Sequence, residues 1–88
     1  MKTFKEYDEA CREFDNHFDT NYRLLKLMEE VGELVQCFNK GRTNEEIMYE
    51  LGDVMFQLSR IARLNSMTLE DVAENNIKKL KYREEFGR

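Results

Sequence analysis

The sequence has no proline and no tryptophan, and its 88 residues include one histidine, two cysteines and four glycines. So few turn-forming residues favour long helices over a sheet with many turns. Cys11 and Cys37 are too few to hold a secreted mini-domain together and form no CxxC or histidine-paired motif, so we expect free thiols. No run of about 18 apolar residues or signal-like N-terminus occurs, which favours a cytoplasmic protein over an exported or membrane-spanning one.

Positive charge is also in short supply. Eighteen acidic residues outnumber 14 basic ones, giving a formal net charge of −4 and a pI near 5.0. A general nucleic-acid binder normally needs a basic face, so neither nucleic acid nor membrane is an expected partner. A chain of this size buries only roughly 60–65% of its surface on folding, which makes self-association helpful. We expect residues 1–88 to form one domain.

Apolar residues recur at helical spacing in four stretches, which predicts four helices. The first is predicted to break within residues 15–21, where many side chains compete for backbone hydrogen bonds. The second extends over about residues 21–39, with Asp19 or Thr20 as its cap and Gly41 past its end. The apolar stripe of the first helix is expected to be a packing seam; it comprises Phe4, Tyr7, Cys11, Phe14 and Phe18.

Capping signatures delimit the last two helices. Thr43 precedes Glu46 by three residues, which opens the third helix, and this helix is predicted to end near Asn65. Thr68 and Asp71 form a weaker signature of the same kind for a helix that continues to about residue 83. The predicted core stripes are Ile47, Leu51, Val54, Met55, Leu58, Ile61 and Ala62 on the third helix and Leu69, Val72, Ala73, Ile77 and Leu80 on the fourth.

A seven-residue motif occurs in both the second and the third predicted helix. Met28–Leu34 and Met48–Val54 share the order acid, apolar, glycine, acid, apolar. Their midpoint is the Gly41–Arg42 turn, so in an antiparallel hairpin both motifs lie at the same height, about 15 Å from the turn. The acids of both motifs also have equal rotational offsets from their apolar stripes. They therefore all point between the helices or all point away, and the sequence leaves both arrangements open.

If these acids converge, Glu30, Glu33, Glu50 and Asp53 form a four-carboxylate site. Their mutual repulsion would make that site unfavourable without a cation. Mg²⁺ prefers oxygen ligands and commonly bridges carboxylates to substrate phosphates, and Mn²⁺ can substitute. No Glu-x-x-His pair is present, which excludes a di-iron bundle. The motif therefore favours a magnesium site.

The alternative is a solvated acidic surface, as acidic runs usually are. The equal height and rotation of the two motifs argue against it, because a solvated face requires neither. Gly32 and Gly52 lie in mid-helix, where glycine costs about 1 kcal/mol relative to alanine. They indicate a close approach of the two helices, either for a site or for packing alone.

A basic edge is predicted on the fourth helix. Asn76, Lys79 and Arg83 lie at i, i+3 and i+7, at the border of the apolar face. A basic pair turned toward the core needs an anionic partner, which a triphosphate would supply. The alternatives are ion pairs with Glu29 or Glu33, or basic side chains lying along the surface at a helix end.

The two acidic motifs resemble the ExxE and ExxD metal-binding motifs of the all-α nucleoside triphosphate pyrophosphatases. The similarity is to the MazG-like branch and extends over about residues 24–83, leaving residues 1–20 uncovered. It implies an all-α, four-helix MazG-like bundle completed by homo-oligomerisation, as a homodimer or homotetramer. It also implies the roles of the site residues. The Mg²⁺ ligands would be Glu30, Glu33, Glu50 and Asp53. Glu29 would be an auxiliary or water-orienting carboxylate, and the phosphate contacts would come from Asn76, Lys79 and Arg83.

The reaction implied by this resemblance is hydrolysis of a (d)NTP to the (d)NMP and pyrophosphate, with a metal-activated water as nucleophile and one carboxylate as base. Two alternatives stay open. One is a related pyrophosphatase acting on a specialised nucleotide such as phosphoribosyl-ATP, and the other is a non-catalytic helical oligomerisation or regulatory module. Phe14, His17, Phe18 and Tyr22 could contact a base, although aromatics at helical spacing are more commonly core.

Overall fold

The computed structural model describes residues 1, 3–16 and 18–87. Within them the chain forms helices and turns but no strand, so the predicted all-α, four-helix architecture is confirmed. None of the described helices is both long and apolar enough to span a bilayer. The helices are α1 (Phe4–Cys11), α2 (Thr20–Asn39), α3 (Asn44–Leu64) and α4 (Leu69–Phe86), and a 3-10 turn (Arg12–Phe14) follows α1.

The helix starts follow the capping signatures in the sequence. Asp19 accepts a hydrogen bond from the amide of Tyr22 at 2.9 Å, and Thr43 accepts one from Glu46 at 3.2 Å. At the start of α4 the weaker signature forms the complete reciprocal box, because Thr68 accepts from Asp71 and the Asp71 side chain accepts from the Thr68 amide. The side chain of Asp71 is therefore long enough to complete the capping box, although it is shorter than that of the usual glutamate.

A glycine ends α2 and reverses the chain. Gly41 has φ +63°, its amide donates to the carbonyl of Phe38, and the Arg42 amide donates to the carbonyl of Cys37. This 6→1 and 5→2 pair of bonds closes the helix and favours glycine at the left-handed position. The reversal packs α3 along α2 as a helical hairpin, the most extensive contact between helices. It therefore brings the two acidic motifs side by side.

The predicted packing seam of the first helix is wrong except at Tyr7 and Cys11, and Phe4 at its start is 45% exposed. Phe14 lies in the 3-10 turn and is 65% exposed, and Phe18 precedes α2 and is 40% exposed. The helix ends early because the chain becomes extended at Asp15, whose carboxylate binds Arg23 at 3.2 Å and Arg60 at 3.0 Å. At this point the chain forms these two ion pairs and does not continue into the last turn of the predicted helix.

The centre of the chain is polar rather than apolar. Asp8 accepts hydrogen bonds from the Ser59 hydroxyl at 2.7 Å and from the Leu69 amide at 3.0 Å, so it ties α1 to both α3 and the start of α4. Buried arginines next to these groups donate to Asp15, to Gln57, to Ser59 and to the Asp8 carbonyl. The buried residues of the described chain are Cys11, Ala62, Leu69, Arg23, Gln57, Ser59 and Arg60.

Much of the predicted apolar core stays exposed in the single chain. On α3, Leu51 is 50% exposed, and on α4 Ile77 and Leu80 are 51% and 47% exposed. Helix α4 contacts α1 and α3, whereas none of its Cα atoms lies within 8 Å of a Cα atom of α2. One run of exposed residues follows α2 at spacings of four, three, four and three: Leu24, Met28, Val31, Val35 and Phe38. We call it the α2 apolar stripe.

Candidate metal centre

Three of the predicted carboxylates converge between α2 and α3. Glu30, Glu50 and Asp53 each place a carboxylate oxygen within 4.8 Å of the other two. All three residues are half-buried. Of the two arrangements that the sequence left open, the structure has the one in which the acids point toward a common position.

The fourth predicted carboxylate, Glu33, borders this trio without joining it. Its negative charge contributes to the raised pKa values of both Glu30 and Glu50. Together with Glu50 it lines a surface cavity of about 390 Å³, where Lys40 and Arg42 also lie. The cluster is therefore open to solvent on the side of Glu33.

The negative charges of the trio are not fully neutralised by positive charges nearby, and the pKa values of its glutamates show this. Burial, followed by the negative charges of Asp53 and Glu33, raises the pKa of Glu30 to about 7. Burial and the same two neighbours raise the pKa of Glu50 above its usual range. One oxygen of each of these glutamates is buried without a hydrogen-bond partner among the described residues. A hard divalent cation supplies both the charge and the coordination that these oxygens lack, so the donor set fits Mg²⁺ or Mn²⁺.

Glu29 lies outside the trio and is paired with a lysine on its own helix. The Lys26 ammonium is 3.4 Å from each carboxylate oxygen of Glu29. Charge attraction to Glu29 raises the pKa of Lys26 above its usual value. One alternative for the basic edge of the fourth helix was an ion pair with Glu29. The structure does not have this ion pair, because Glu29 pairs with Lys26 instead.

The predicted basic edge does not reach the carboxylates within one chain. Asn76, Lys79 and Arg83 are all exposed on α4, and α4 does not contact α2. Among the described residues, none of the three has a hydrogen bond or ion pair to the acidic cluster. A single chain therefore leaves this basic edge unpaired with the acids.

The predicted close helix approach at the two mid-helix glycines is wrong. A Cβ atom built on Gly32 or Gly52 would meet nothing within 4 Å in the described chain. The glycines leave open space beside the cluster rather than a tight contact.

One residue near the site, Lys26, was not singled out from the sequence, whereas Phe18, Tyr22 and His17 were considered as possible base contacts. Lys26 lies one turn before Glu30, and this i, i+4 spacing was the available signal. Phe18 and Tyr22 stack with centroids 4.0 Å apart, and both rings lie within 6 Å of the Arg23 guanidinium. These aromatics therefore pack around a buried cation. His17 lies outside the described residues.

The α2–α3 hairpin places carboxylates around a position suited to a divalent cation. By its fold and this site, the protein is of the class of helical proteins with an acidic metal-type centre. The family model of the MazG nucleotide pyrophosphohydrolase domain matches residues 18–86. The chain belongs to this family, which indicates nucleotide pyrophosphohydrolase activity in general. Comparisons with curated proteins and with solved structures gave no match.

We expect the metal-free protein to lose stability as the pH rises from 5 to 8. The pKa of Glu30, about 7 in the folded chain, lies above the value near 4.3 of an unfolded glutamate. The folded state thus holds an extra proton between these values, and its stabilising effect disappears as the pH passes 7. Glu30→Gln should remove this loss and raise the metal-free melting temperature at pH 8 by about 4–8 °C, for roughly 1 kcal/mol after solvent screening.

The same variant should lose its response to metal. At ten times its dissociation constant Mg²⁺ should stabilise the wild-type protein by about 1.4 kcal/mol by mass action, and it should stabilise Glu30→Gln far less. Thermal melts at pH 5 and 8, with EDTA or MgCl₂, measure both effects. Glu74→Gln, an exposed change on α4, is the matched control. Equal Mg²⁺ stabilisation of Glu30→Gln and wild type would contradict the assignment of the cluster.

Proposed function

We propose that this protein is a Mg²⁺-dependent nucleoside triphosphate pyrophosphohydrolase that converts a (d)NTP to the (d)NMP and pyrophosphate. The observation that carries the proposal is the convergence of Glu30, Glu50 and Asp53, two of which have buried oxygens without a partner. Membership of the MazG family supports the same reaction class. Carboxylates in this arrangement have no role in packing that would compensate for their repulsion.

Each acid has a distinct part in this proposal. Glu30, Glu50 and Asp53 would hold the cation, with Glu33 completing the set from the edge of the cavity. A cation held there would supply Lewis-acid chemistry, withdrawing charge from the phosphate oxygens and making a water molecule easier to deprotonate. Glu29 is adjacent to this set and accessible to solvent, so its carboxylate would orient the attacking water and accept its proton. Its side chain is 55% exposed.

The nucleotide panel is the decisive experiment. Purified protein would be incubated with the four NTPs, the four dNTPs and phosphoribosyl-ATP, with Mg²⁺ or Mn²⁺, and released pyrophosphate measured. Metal-dependent release from at least one (d)NTP is the expected result. Activity confined to phosphoribosyl-ATP would identify the specialised enzyme instead. A folded protein that is inert with all nine substrates, and whose melting temperature Mg²⁺ leaves unchanged, would identify a non-catalytic module.

We further propose that the protein acts as a homodimer or homotetramer. The α2 apolar stripe has the 3.5-residue spacing of a coiled-coil seam, and its members are 42% to 72% exposed in one chain. Packing against a second copy would cover this stripe. It would also allow α4 of the other copy to bring Asn76, Lys79 and Arg83 to the phosphates, which α4 of the same chain does not approach.

Val35→Asp is expected to convert the assembly to monomers or to lower its association constant at least tenfold. A buried, unpaired carboxylate at the centre of an apolar seam is costly, whereas it is harmless on a surface. Multi-angle light scattering over a micromolar concentration series measures the change. Asn21→Asp adds the same charge at an exposed position at the start of α2 and should leave the mass unchanged. A monomeric wild-type protein would refute the proposed assembly.

A further inference from the structure

We propose that the buried hydrogen bond between Arg23 and Gln57 positions the metal centre by holding α2 and α3 at the rotation at which their carboxylates meet. The bond joins α2 to α3 outside the carboxylate trio. The inference rests on the function proposed above and names two positioning residues for its site. It concerns binding of the cation, so it can be tested without turnover.

The carboxylate trio needs a contact that opposes its own repulsion. The negative charges of three other acids act on Glu30, and like charges so close together favour a rotation of the helices that separates them. The reversal at Gly41 fixes the hairpin at one end only. A second fixed point, beyond the acids, would prevent each helix from turning about its own axis.

Arg23 and Gln57 supply this second point on the helix faces that carry the acids. Arg23 precedes Glu30 by seven residues and Gln57 follows Glu50 by seven. Seven residues are two helical turns, so each pair points within about 20° of the same direction. The Arg23 guanidinium donates to the side-chain oxygen of Gln57 at 3.3 Å. This bond therefore lies in line with the two glutamates and about 10 Å further from the turn.

The contact is buried and is held from several sides. Arg23 is 3% exposed and Gln57 is 6% exposed. The guanidinium also binds Asp15 at 3.2 Å and lies 5.4 Å from the ring centroid of Phe56, the neighbour of Gln57 on α3. A rotation of α3 that turned the acids away would therefore separate both of these α3 side chains from Arg23.

Such a separation is unfavourable because the guanidinium already lacks one partner. The Nε atom of Arg23 is buried without a hydrogen bond among the described residues. Rotation would leave a second N–H group of this buried cation unpaired, which costs the desolvation of a charged group. The bond to Gln57 therefore opposes the repulsion among the carboxylates.

Ser59 provides a comparison that separates positioning from stability. It lies two residues after Gln57 on α3, is 1% exposed, and donates to Asp8 of α1 at 2.7 Å. This hydrogen bond stabilises the interior but does not connect the two helices of the hairpin. Ser59→Ala should therefore lower the melting temperature without moving the carboxylates.

The test compares the Mg²⁺ dissociation constants of Gln57→Met, Gln57→Glu and Ser59→Ala, measured by calorimetry at pH 8 well below each melting temperature. Gln57→Met keeps the length of the side chain but removes the acceptor. It should raise the constant about tenfold, at the lower end of the effects seen when contacts that orient metal ligands are lost. Gln57→Glu keeps the acceptor, its charge is neutralised by Arg23, and it should stay within about threefold of wild type. Ser59→Ala should stay within about twofold.

The electron paramagnetic resonance spectrum of bound Mn²⁺ reports the geometry of the ligands directly. It should change in Gln57→Met and coincide with that of wild type in Ser59→Ala. If Gln57→Met does not fold, Gln57→Asn, which is one carbon shorter, replaces it and should raise the Mg²⁺ constant at least about threefold. A folded variant of either kind with wild-type affinity and an unchanged spectrum would overturn the proposal. Equal weakening of Mg²⁺ binding in Ser59→Ala would overturn it as well.

Further outcomes separate this inference from the function on which it rests. If the wild-type protein releases pyrophosphate but Gln57→Met binds Mg²⁺ as wild type does, the positioning role is wrong and the enzyme assignment stands. If Gln57→Met binds Mg²⁺ about tenfold more weakly while the wild-type protein hydrolyses none of the nucleotides, the positioning role stands and the enzyme assignment fails. A wild-type protein that binds no Mg²⁺ would overturn both.

Discussion

Glu50→Gln should lower metal-dependent pyrophosphate release about a hundredfold to a thousandfold while leaving the fold intact. The substitution keeps the size of the side chain but removes the charge that would stabilise a cation next to Glu30 and Asp53, and losses of this size are typical when one electrostatic group of an active site is removed. Stability should rise slightly, because the repulsion that Glu50 experiences from Glu33 and Asp53 disappears. Initial rates and circular dichroism melts measure the two effects.

The opposite directions of the two effects make this prediction specific. A residue that served only the fold would lose activity and stability together. Glu74→Gln, the exposed control on α4, should change neither quantity. A folded Glu50→Gln protein with activity within about threefold of wild type would refute the role of Glu50 in the metal site.

Arg60→Met is expected to destabilise the fold by about 3–5 kcal/mol, as when one partner of a buried ion pair is removed. The Arg60 side chain is 1% exposed and donates to Asp15, to Ser59 and to the carbonyl of Asp8. Its loss leaves these acceptors partly unsatisfied at the junction of α1, α3 and α4. The melting temperature should fall by at least about 12 °C, or the protein should fail to fold.

Arg63→Gln is the matched control for this substitution. Arg63 is exposed on the same helix and forms no ion pair within the described chain, so its replacement should stay within about 0.5 kcal/mol. Arg60→Lys keeps the charge but lacks the planar fork of N–H groups that reaches these separate acceptors, so it should lie between the two. An Arg60→Met protein that melts within about 3 °C of wild type would show that the polar centre does not stabilise the fold.

The sequence predicted the helices and the equal height of the two acidic motifs because both depend on local patterns. Caps, spacing and the glycine at position 41 fix where the helices begin and end, and the length of the turn sets Glu30 opposite Asp53. Whether the acids converge could not be predicted, because rotation of the hairpin depends on packing elsewhere in the chain. The fourth acid, Glu33, falls at the rim rather than in the trio for the same reason.

The polar centre was not predicted, because no local sequence pattern indicates it. Arg23 and Arg60 are 34 and 45 residues from their acceptors Gln57 and Asp15, and hydrophobic periodicity treats arginine as a surface residue. The apolar stripes were assigned to a core that one chain does not cover. Periodicity identifies which helix faces avoid water, but it does not tell whether another part of the chain or another copy covers them.

The placement of Asp8 and Asp15 affects how the folded unit should be delimited. Both acids precede residue 18, where the match to the MazG domain begins, yet they hold the buried arginines of α2 and α3 and the first amide of α4. A fragment trimmed to the limits of the domain match would keep two interior guanidinium groups and discard the Asp15 carboxylate that pairs with both of them. The N-terminal segment is therefore an integral part of the interior of this protein, although the domain match does not include it.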